Sequence, residues 1–194
     1  MQGKIQNIIE KGLACIKIRH LHRITPVVNW NGACINGKDV VIESTRWASL
    51  LNHMESPSVL CCFILTLGEE IDRLIEASQQ TSLFETFVLD AFGSVMTEYA
   101  ANQLTRHLKH ADDNKVYEYS RRFSPGYCDW KLKSGQDALF HFLKPEAIDL
   151  QCLPTGAMVP EKSISAVMIG AKKIKHASPC FFCNEGSCAH KRVK

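Results

Sequence analysis

The sequence has no apolar run long enough to cross a membrane. Its longest such run, residues 59–65, has the length of a β-strand, whereas a membrane-spanning helix needs about 20 apolar residues. No segment combines the basic start and apolar stretch of a secretory signal peptide. We therefore expect a cytoplasmic protein with no membrane association.

The sequence also lacks a strong charge of either sign. Its 194 residues carry a formal net charge of +3, which is too small to indicate a nucleic-acid-binding surface. Most basic residues are scattered. The exceptions are two short groups, Lys172, Lys173 and Lys175, and Lys191, Arg192 and Lys194. A solvated surface accounts for both groups, and we expect no nucleic-acid partner.

The sequence also lacks the even number of cysteines that is expected of a disulfide framework. There are nine cysteines, and without an export signal they indicate thiols or metal ligands. Cys180, Cys183 and Cys188 lie close together with Gly186 between the last two. They could hold an iron–sulfur cluster or, with His190, a zinc ion. The alternative is a flexible tail with free thiols.

Helical and strand patterns alternate along the chain without a regular βαβ period. Helices are expected at 3–18, 45–53, 82–110 and 135–143, and strands at 40–42, 59–67, 148–153 and 163–169. Residues 21–30 contain a proline and predict an edge strand. The mixture predicts an α+β fold, a single domain with a mainly antiparallel twisted sheet flanked by helices. We assign 1–175 to this domain and 176–194 to a cysteine-rich C-terminal tail.

The longest predicted helix, residues 82–110, carries a row of apolar residues at helical spacing. The row consists of Leu83, Phe84, Phe87, Val88, Ala91 and Val95. Glu98 falls on the same row, three residues after Val95. We expect this row to face the core, where a carboxylate needs a partner because unpaired burial costs several kcal/mol. Arg122 is one candidate partner, and a cationic ligand is the other.

A bend at Ser124-Pro125-Gly126-Tyr127 follows two arginines and is the chemically richest stretch. Pro125-Gly126 suits the two central positions of a type II turn. The fork of an arginine matches a carboxylate or phosphate, and an aromatic beside a glycine suits a flat or cationic ligand. The alternative is a turn at the end of a strand with solvated arginines.

Two motifs are similar to those of a known family. Residues 122–127, Arg-Phe-Ser-Pro-Gly-Tyr, resemble the Arg-x-x-Pro-Gly-Tyr signature of the activation domain of cobalamin-dependent methionine synthase. Residues 157–165, from Ala157 to Ser165, resemble that family's Ala-Met-aromatic-Pro-x-x-Ser-Val-Ser stretch. Glu98 stands where the family keeps a helical glutamate. The resemblance runs from about residue 66 to residue 170.

The resemblance implies a binding site for S-adenosylmethionine. Arg122 would bind the methionine carboxylate, and Glu98 would complement the positive end of the ligand. Ser124 and Gly126 would offer backbone contacts, Tyr127 would pack against the ligand, and Ala157 would line the pocket floor. The family uses the methyl group of this ligand to restore methylcobalamin after the corrinoid has oxidised to cob(II)alamin, once one electron has been supplied.

The chain departs from the family in four respects. Val159 replaces an aromatic residue, and Met168 stands where a tyrosine is usual. No residue matches the family's amino-terminal aspartate that contacts the ligand amine, and the Asp-x-His-x-x-Gly cobalamin signature is missing. The resemblance therefore implies action in trans on a partner that holds the corrinoid, either methionine synthase or another corrinoid protein. Flavodoxin or ferredoxin would supply electrons. The alternative is a reductive activator or docking subunit that has a metal cluster and binds no S-adenosylmethionine.

Overall fold

The computed structural model describes residues 2–111, 116–178 and 180. Its helices are α1 (Gln2–Cys15), α2 (Thr45–Leu51), α3 (Glu69–Gln79), α4 (Leu83–His110) and α5 (Leu132–Leu143). Its strands are β1 (Arg19–Trp30), β2 (Cys34–Gly37), β3 (Val41–Glu43), β4 (Met54–Thr66), β5 (Glu118–Tyr119), β6 (Gln151–Cys152), β7 (Met158–Val159) and β8 (Ser163–Ile174). A 3-10 turn, Pro145–Ile148, follows α5.

Six strands form one antiparallel sheet in the order β3-β2-β1-β4-β8-β5. Strands β6 and β7 form a separate antiparallel pair. The long strands β4 and β8 pair over almost their whole length at the centre. The predicted α+β class with a mainly antiparallel sheet is confirmed.

The apolar run in β4 explains why this strand lies at the centre. Its side chains alternate between two cores, so that Cys62 packs with α2 and α5, whereas Cys61 and Phe63 pack with α1, α3 and α4. Burial raises the pKa of the Cys61 thiol to about 12 and that of Cys62 further still, with the Cys61 charge as a second cause. Both cysteines are packing residues with helices covering the two faces.

The prediction that residues 21–30 form an edge strand is wrong. β1 lies between β2 and β4, pairing with β4 over its first eight residues and with β2 near its end. Pro26 is tolerated because it stands where the pairing changes from one neighbour to the other.

No helix among the described residues is long and apolar enough to span a membrane.

The prediction that the apolar row of α4 faces the core is also wrong. Leu83 is 79% exposed, Phe87 72% and Val95 65%, and Glu98 is exposed beside them. The buried face of α4 carries mainly small and aliphatic residues. They are Leu89, Gly93, Thr97, Ala100, Ala101, Leu104 and Leu108. Glu98 is therefore not a core carboxylate.

The two faces of α4 can be distinguished by stability. We expect Leu89→Ala to lower the free energy of unfolding by about 2–5 kcal/mol, because Leu89 is fully buried and its truncation leaves a cavity. Val95→Ala, its matched control on the exposed face, should change it by less than about 0.5 kcal/mol. Urea denaturation measures both, and equal losses would contradict the assignment of the faces.

Candidate functional site

Phe123 attaches the bent segment to the sheet. Its backbone exchanges two hydrogen bonds with Val167 of β8, at 3.0 and 2.8 Å. Its ring stacks on Trp47 of α2 with an interplanar angle of 13°, and the Trp130 ring packs against it at a tilt, with 5.5 Å between the ring centroids. The residues on either side of Phe123 are thereby fixed relative to β8.

The turn that follows has the predicted type II character. The Tyr127 amide donates to the Ser124 carbonyl at 3.2 Å, and Gly126 has a φ of +90°, a conformation that other residues adopt only with strain. Tyr127 leaves the turn with 42% of its surface exposed. The turn thus presents Ser124 and Tyr127 at the surface of the domain.

Asp129 has a structural role that the sequence did not reveal. Its carboxylate accepts hydrogen bonds from Ser44 Oγ at 2.5 Å and from the Thr45 amide at 2.7 Å, and so caps the start of α2. Partial burial favours the neutral acid, but the hydrogen bonds from Ser44 and Thr45 together outweigh it and lower the pKa of Asp129. The cap fixes the far end of the bent segment.

Arg122 and Glu98 form an ion pair. Arg122 Nη2 lies 2.5 Å from Glu98 Oε2, and Nη1 donates to Asn102 Oδ1 at 2.5 Å. The arginine side chain is only 9% exposed, whereas that of Glu98 is 57% exposed. Of the two partners considered for Glu98, the structure brings Arg122 to it. The pair connects the bent segment to α4.

A cleft of about 390 Å³ lies between α4 and the bent segment. This volume is within the range of small-molecule sites, which is about 300–1,000 Å³. Helix α4 contributes Ser94, Thr97 and Glu98. The remaining lining residues are Ser124, Pro125, Tyr127, Leu132, Gln136, Met158, Glu161, Lys162, Ser163, Ile164 and Ser165.

The predicted ligand-binding residues lie in or beside this cleft. Glu98, Ser124 and Tyr127 line it. Arg122, Gly126 and Ala157 do not line it. Arg122 is paired with the lining residue Glu98, and Gly126 and Ala157 are each adjacent in sequence to a lining residue. Their roles as ligand contacts stay predictions.

Lys162 is a cleft residue that the sequence analysis missed. Its side chain is 7% exposed and crosses the surface of α4 at Gly93, where an added Cβ would lie 3.1–3.2 Å from the lysine stem. Its ammonium contacts Asp90 Oδ1 at 2.6 Å and Ser94 Oγ at 3.4 Å. Nothing in the spacing of the sequence signals this contact, because Asp90 and Lys162 are 72 residues apart.

The predicted metal site lies mostly outside the described residues. Cys180 is half-buried, and its amide donates to Ser178 Oγ at 3.3 Å, but Cys183 and Cys188 fall beyond the described part of the chain. Within 2–111, 116–178 and 180, no three His, Cys, Asp or Glu side chains are grouped as a metal site requires. The metal and the separate tail at 176–194 stay predictions.

Comparison with known proteins identifies the architecture. No family model and no curated protein matches the chain. Among solved structures, it is similar to the crystal structure of the MetH reactivation domain bound to AdoHcy, S-adenosylhomocysteine, with a TM-score of 0.65 and 14% sequence identity. The similarity covers 91% of this chain and 68% of that one. The chain has the fold of that reactivation domain.

Two departures from the family motif can be located on the reactivation-domain fold. Met168 is fully buried in the core beneath α3 and α4 and does not line the cleft. Val159 is 47% exposed and follows the lining residue Met158. Neither change fills the cleft.

The Asp129 cap makes a prediction about pH. Because the pKa of Asp129 is lower in the folded protein, its stabilisation is present above the unfolded pKa and is lost as the pH falls through the folded pKa. We expect Asp129→Ala to cost about 0.5–2 kcal/mol at pH 7. The difference from wild type should shrink below about pH 4.

Chemical denaturation at pH 7 and pH 3 measures this effect. Asp39→Ala, at an exposed aspartate in the turn between β2 and β3, is the matched control and should change stability little at either pH. A cost for Asp129→Ala that is equal at the two pH values would exclude a charged cap.

Proposed function

We propose that this protein binds S-adenosylmethionine in the cleft and uses it to reactivate, in trans, the corrinoid of a partner such as cobalamin-dependent methionine synthase. One observation carries the proposal. The cleft lies between the helix that bears Glu98 and the turn that bears Ser124 and Tyr127, in the fold of a domain that was solved with S-adenosylhomocysteine.

The groups around the cleft suit the two ends of such a ligand. Glu98 uses Oε2 for Arg122, and its other oxygen can face the cationic end of the ligand. Arg122 has five N–H donors and gives two nitrogens to Glu98 and Asn102. By the resemblance, the remaining donors would bind the carboxylate of the ligand at the edge of the cleft. Tyr127 and Met158 supply apolar surface for the rest of the ligand.

The protein's own contribution would be to bind and orient the ligand. S-adenosylmethionine, when bound, would supply its methyl group to the reduced cobalt of the partner's corrinoid, after a separate donor such as flavodoxin or ferredoxin has given one electron. Orientation of the sulfonium and exclusion of water by the cleft walls are the tasks left to the chain.

The exposed apolar row on α4 supports a protein partner. Leu83, Phe87, Val95 and Tyr99 are each more than half exposed, and they lie on the helix whose Ser94 and Glu98 line the cleft. Contiguous exposed apolar surface of this kind is typical of a protein-interaction site. A corrinoid protein that docks on this row would meet the mouth of the cleft.

The second candidate function is a reductive activator or docking subunit of a corrinoid protein. In this case the cysteines from Cys180 to Cys188 hold an iron–sulfur cluster that passes an electron, and the cleft binds no S-adenosylmethionine. Three cysteines within nine residues favour this alternative.

Ligand binding separates the two candidates. We expect calorimetry to show binding of S-adenosylmethionine and its competition by S-adenosylhomocysteine. Arg122→Ala should weaken binding by about 1.5–3 kcal/mol, because it removes a charge-assisted hydrogen bond to the carboxylate of the ligand. Arg121→Ala is the matched control, since Arg121 is the exposed neighbour. An absence of heat with the wild-type protein would exclude the first function.

Metal analysis tests the tail separately. We expect anaerobically purified protein to contain iron with acid-labile sulfide, or zinc, and the triple variant Cys180→Ser/Cys183→Ser/Cys188→Ser to contain neither. Cys34→Ser provides a control at a cysteine in β2. Protein free of both metals would refute the cysteine site.

A further inference from the structure

The floor of the cleft contains a buried side-chain amide, that of Gln136, which is oriented by a serine. Gln136 of α5 is 3% exposed, and Ser165 of β8 is 2% exposed. Ser165 Oγ donates to Gln136 Oε1 at 2.9 Å, and both residues line the cleft. Since the single hydroxyl proton of Ser165 is used for this bond, the carbonyl end of the amide is held towards β8 and the nitrogen end points elsewhere.

The nitrogen end of this amide has no acceptor. Gln136 Nε2 donates to none of the residues that the structure describes, and it is not one of the fully buried polar atoms without a partner, so this nitrogen is accessible from the cleft that Gln136 lines. The other buried polar residues of the cleft are satisfied. Thr97 Oγ1 donates to the Gly93 carbonyl at 2.8 Å, and Lys162 contacts Asp90. The two N–H groups of Gln136 are therefore left for something that enters the cleft.

Close packing fixes the position of this amide. An added Cβ at Gly135 would lie 2.8 Å from Pro125 Cβ and 2.8 Å from the Trp130 ring. The start of α5 is therefore pressed against the bent segment with no space between them, and Gln136 cannot shift towards the turn without a clash. A donor with a fixed position can select an acceptor at a fixed place in a ligand.

The surroundings of Gln136 indicate the chemical class of this acceptor. The apolar lining consists of Pro125, Tyr127, Leu132, Met158 and Ile164. A surface of this composition suits a flat, uncharged ring. The charged groups Arg122 and Lys162 are each paired with a carboxylate. An uncharged planar ring that presents a hydrogen-bond acceptor satisfies both the walls and the amide.

We propose that the Gln136–Ser165 couple is the subsite for a nitrogen-containing aromatic base, with Gln136 Nε2 donating to a ring nitrogen of that base. The identity of the whole ligand, a nucleoside that carries a thioether or sulfonium group, rests on the proposed function. The subsite itself requires only that the ligand contains the aromatic base. Gln136 is a specificity-determining residue for that base, and Ser165 is a positioning residue that acts through it.

Deaza analogues test the subsite on the unaltered protein. Calorimetry is carried out with S-adenosylhomocysteine and with its 1-deaza, 3-deaza and 7-deaza forms, each of which replaces one ring nitrogen by CH. We expect one analogue to bind about 10-fold more weakly, because the amide then has no partner, while the other two bind within about 2-fold of the parent. A uniform series would overturn the inference.

A variant then assigns the effect to Gln136. Gln136→Met keeps the length of the side chain, should bind S-adenosylhomocysteine about 10-fold more weakly, and should no longer distinguish the deaza analogue that wild type distinguishes. Gln103→Met, on α4 outside the cleft, is the matched control and should behave as wild type. A Gln136→Met variant that still distinguishes that analogue would overturn the assignment.

Adenosine separates a failure of the subsite from a failure of the proposed function. Binding of S-adenosylhomocysteine with no dependence on Gln136 overturns the subsite alone. If adenosine binds and one of its deaza analogues binds more weakly than the other two, while S-adenosylhomocysteine does not bind, the proposed function is overturned and the subsite is supported. Wild-type protein that binds neither compound overturns both.

Discussion

The ion pair between Arg122 and Glu98 is the contact on which the cleft depends, because it connects the bent segment to the longest helix of the domain. The same segment is fixed in two further directions, by the backbone hydrogen bonds of Phe123 to β8 and by the Asp129 cap on α2. Elements from both faces of the sheet thus meet at one short stretch of chain. A cleft with such walls keeps its shape without a ligand, which lowers the entropic cost of binding one.

The pairing of charges sets the polarity of the cleft. Arg122 and Lys162 are nearly buried, and each contacts a carboxylate on α4 that remains half exposed, Glu98 and Asp90 respectively. Of these two carboxylates only Glu98 lines the cleft, so the α4 wall presents one acidic group, while the floor of the cleft has an uncharged amide and apolar side chains. A ligand with one cationic part and one flat neutral part matches this distribution of groups.

The sequence predicted the elements better than their orientation. The apolar run of β4 and the Pro125-Gly126 turn have strong local signals, and both were predicted correctly. The buried face of α4 was predicted wrongly, because it contains Gly93, Ala100 and Ala101, whose small side chains give little periodic signal. The larger apolar residues on the exposed face dominated the pattern. Lys162 and Gln136 could not be found, because their contacts join positions far apart in sequence.

A crystal structure of the protein grown with S-adenosylhomocysteine tests the central claim most directly. The account predicts ligand density between α4 and the Ser124–Tyr127 turn, with the amino-acid end beside Glu98 and Arg122 and the base near Gln136. A ligand bound elsewhere on the domain, or saturating ligand with an empty cleft in a well-ordered crystal, would contradict it.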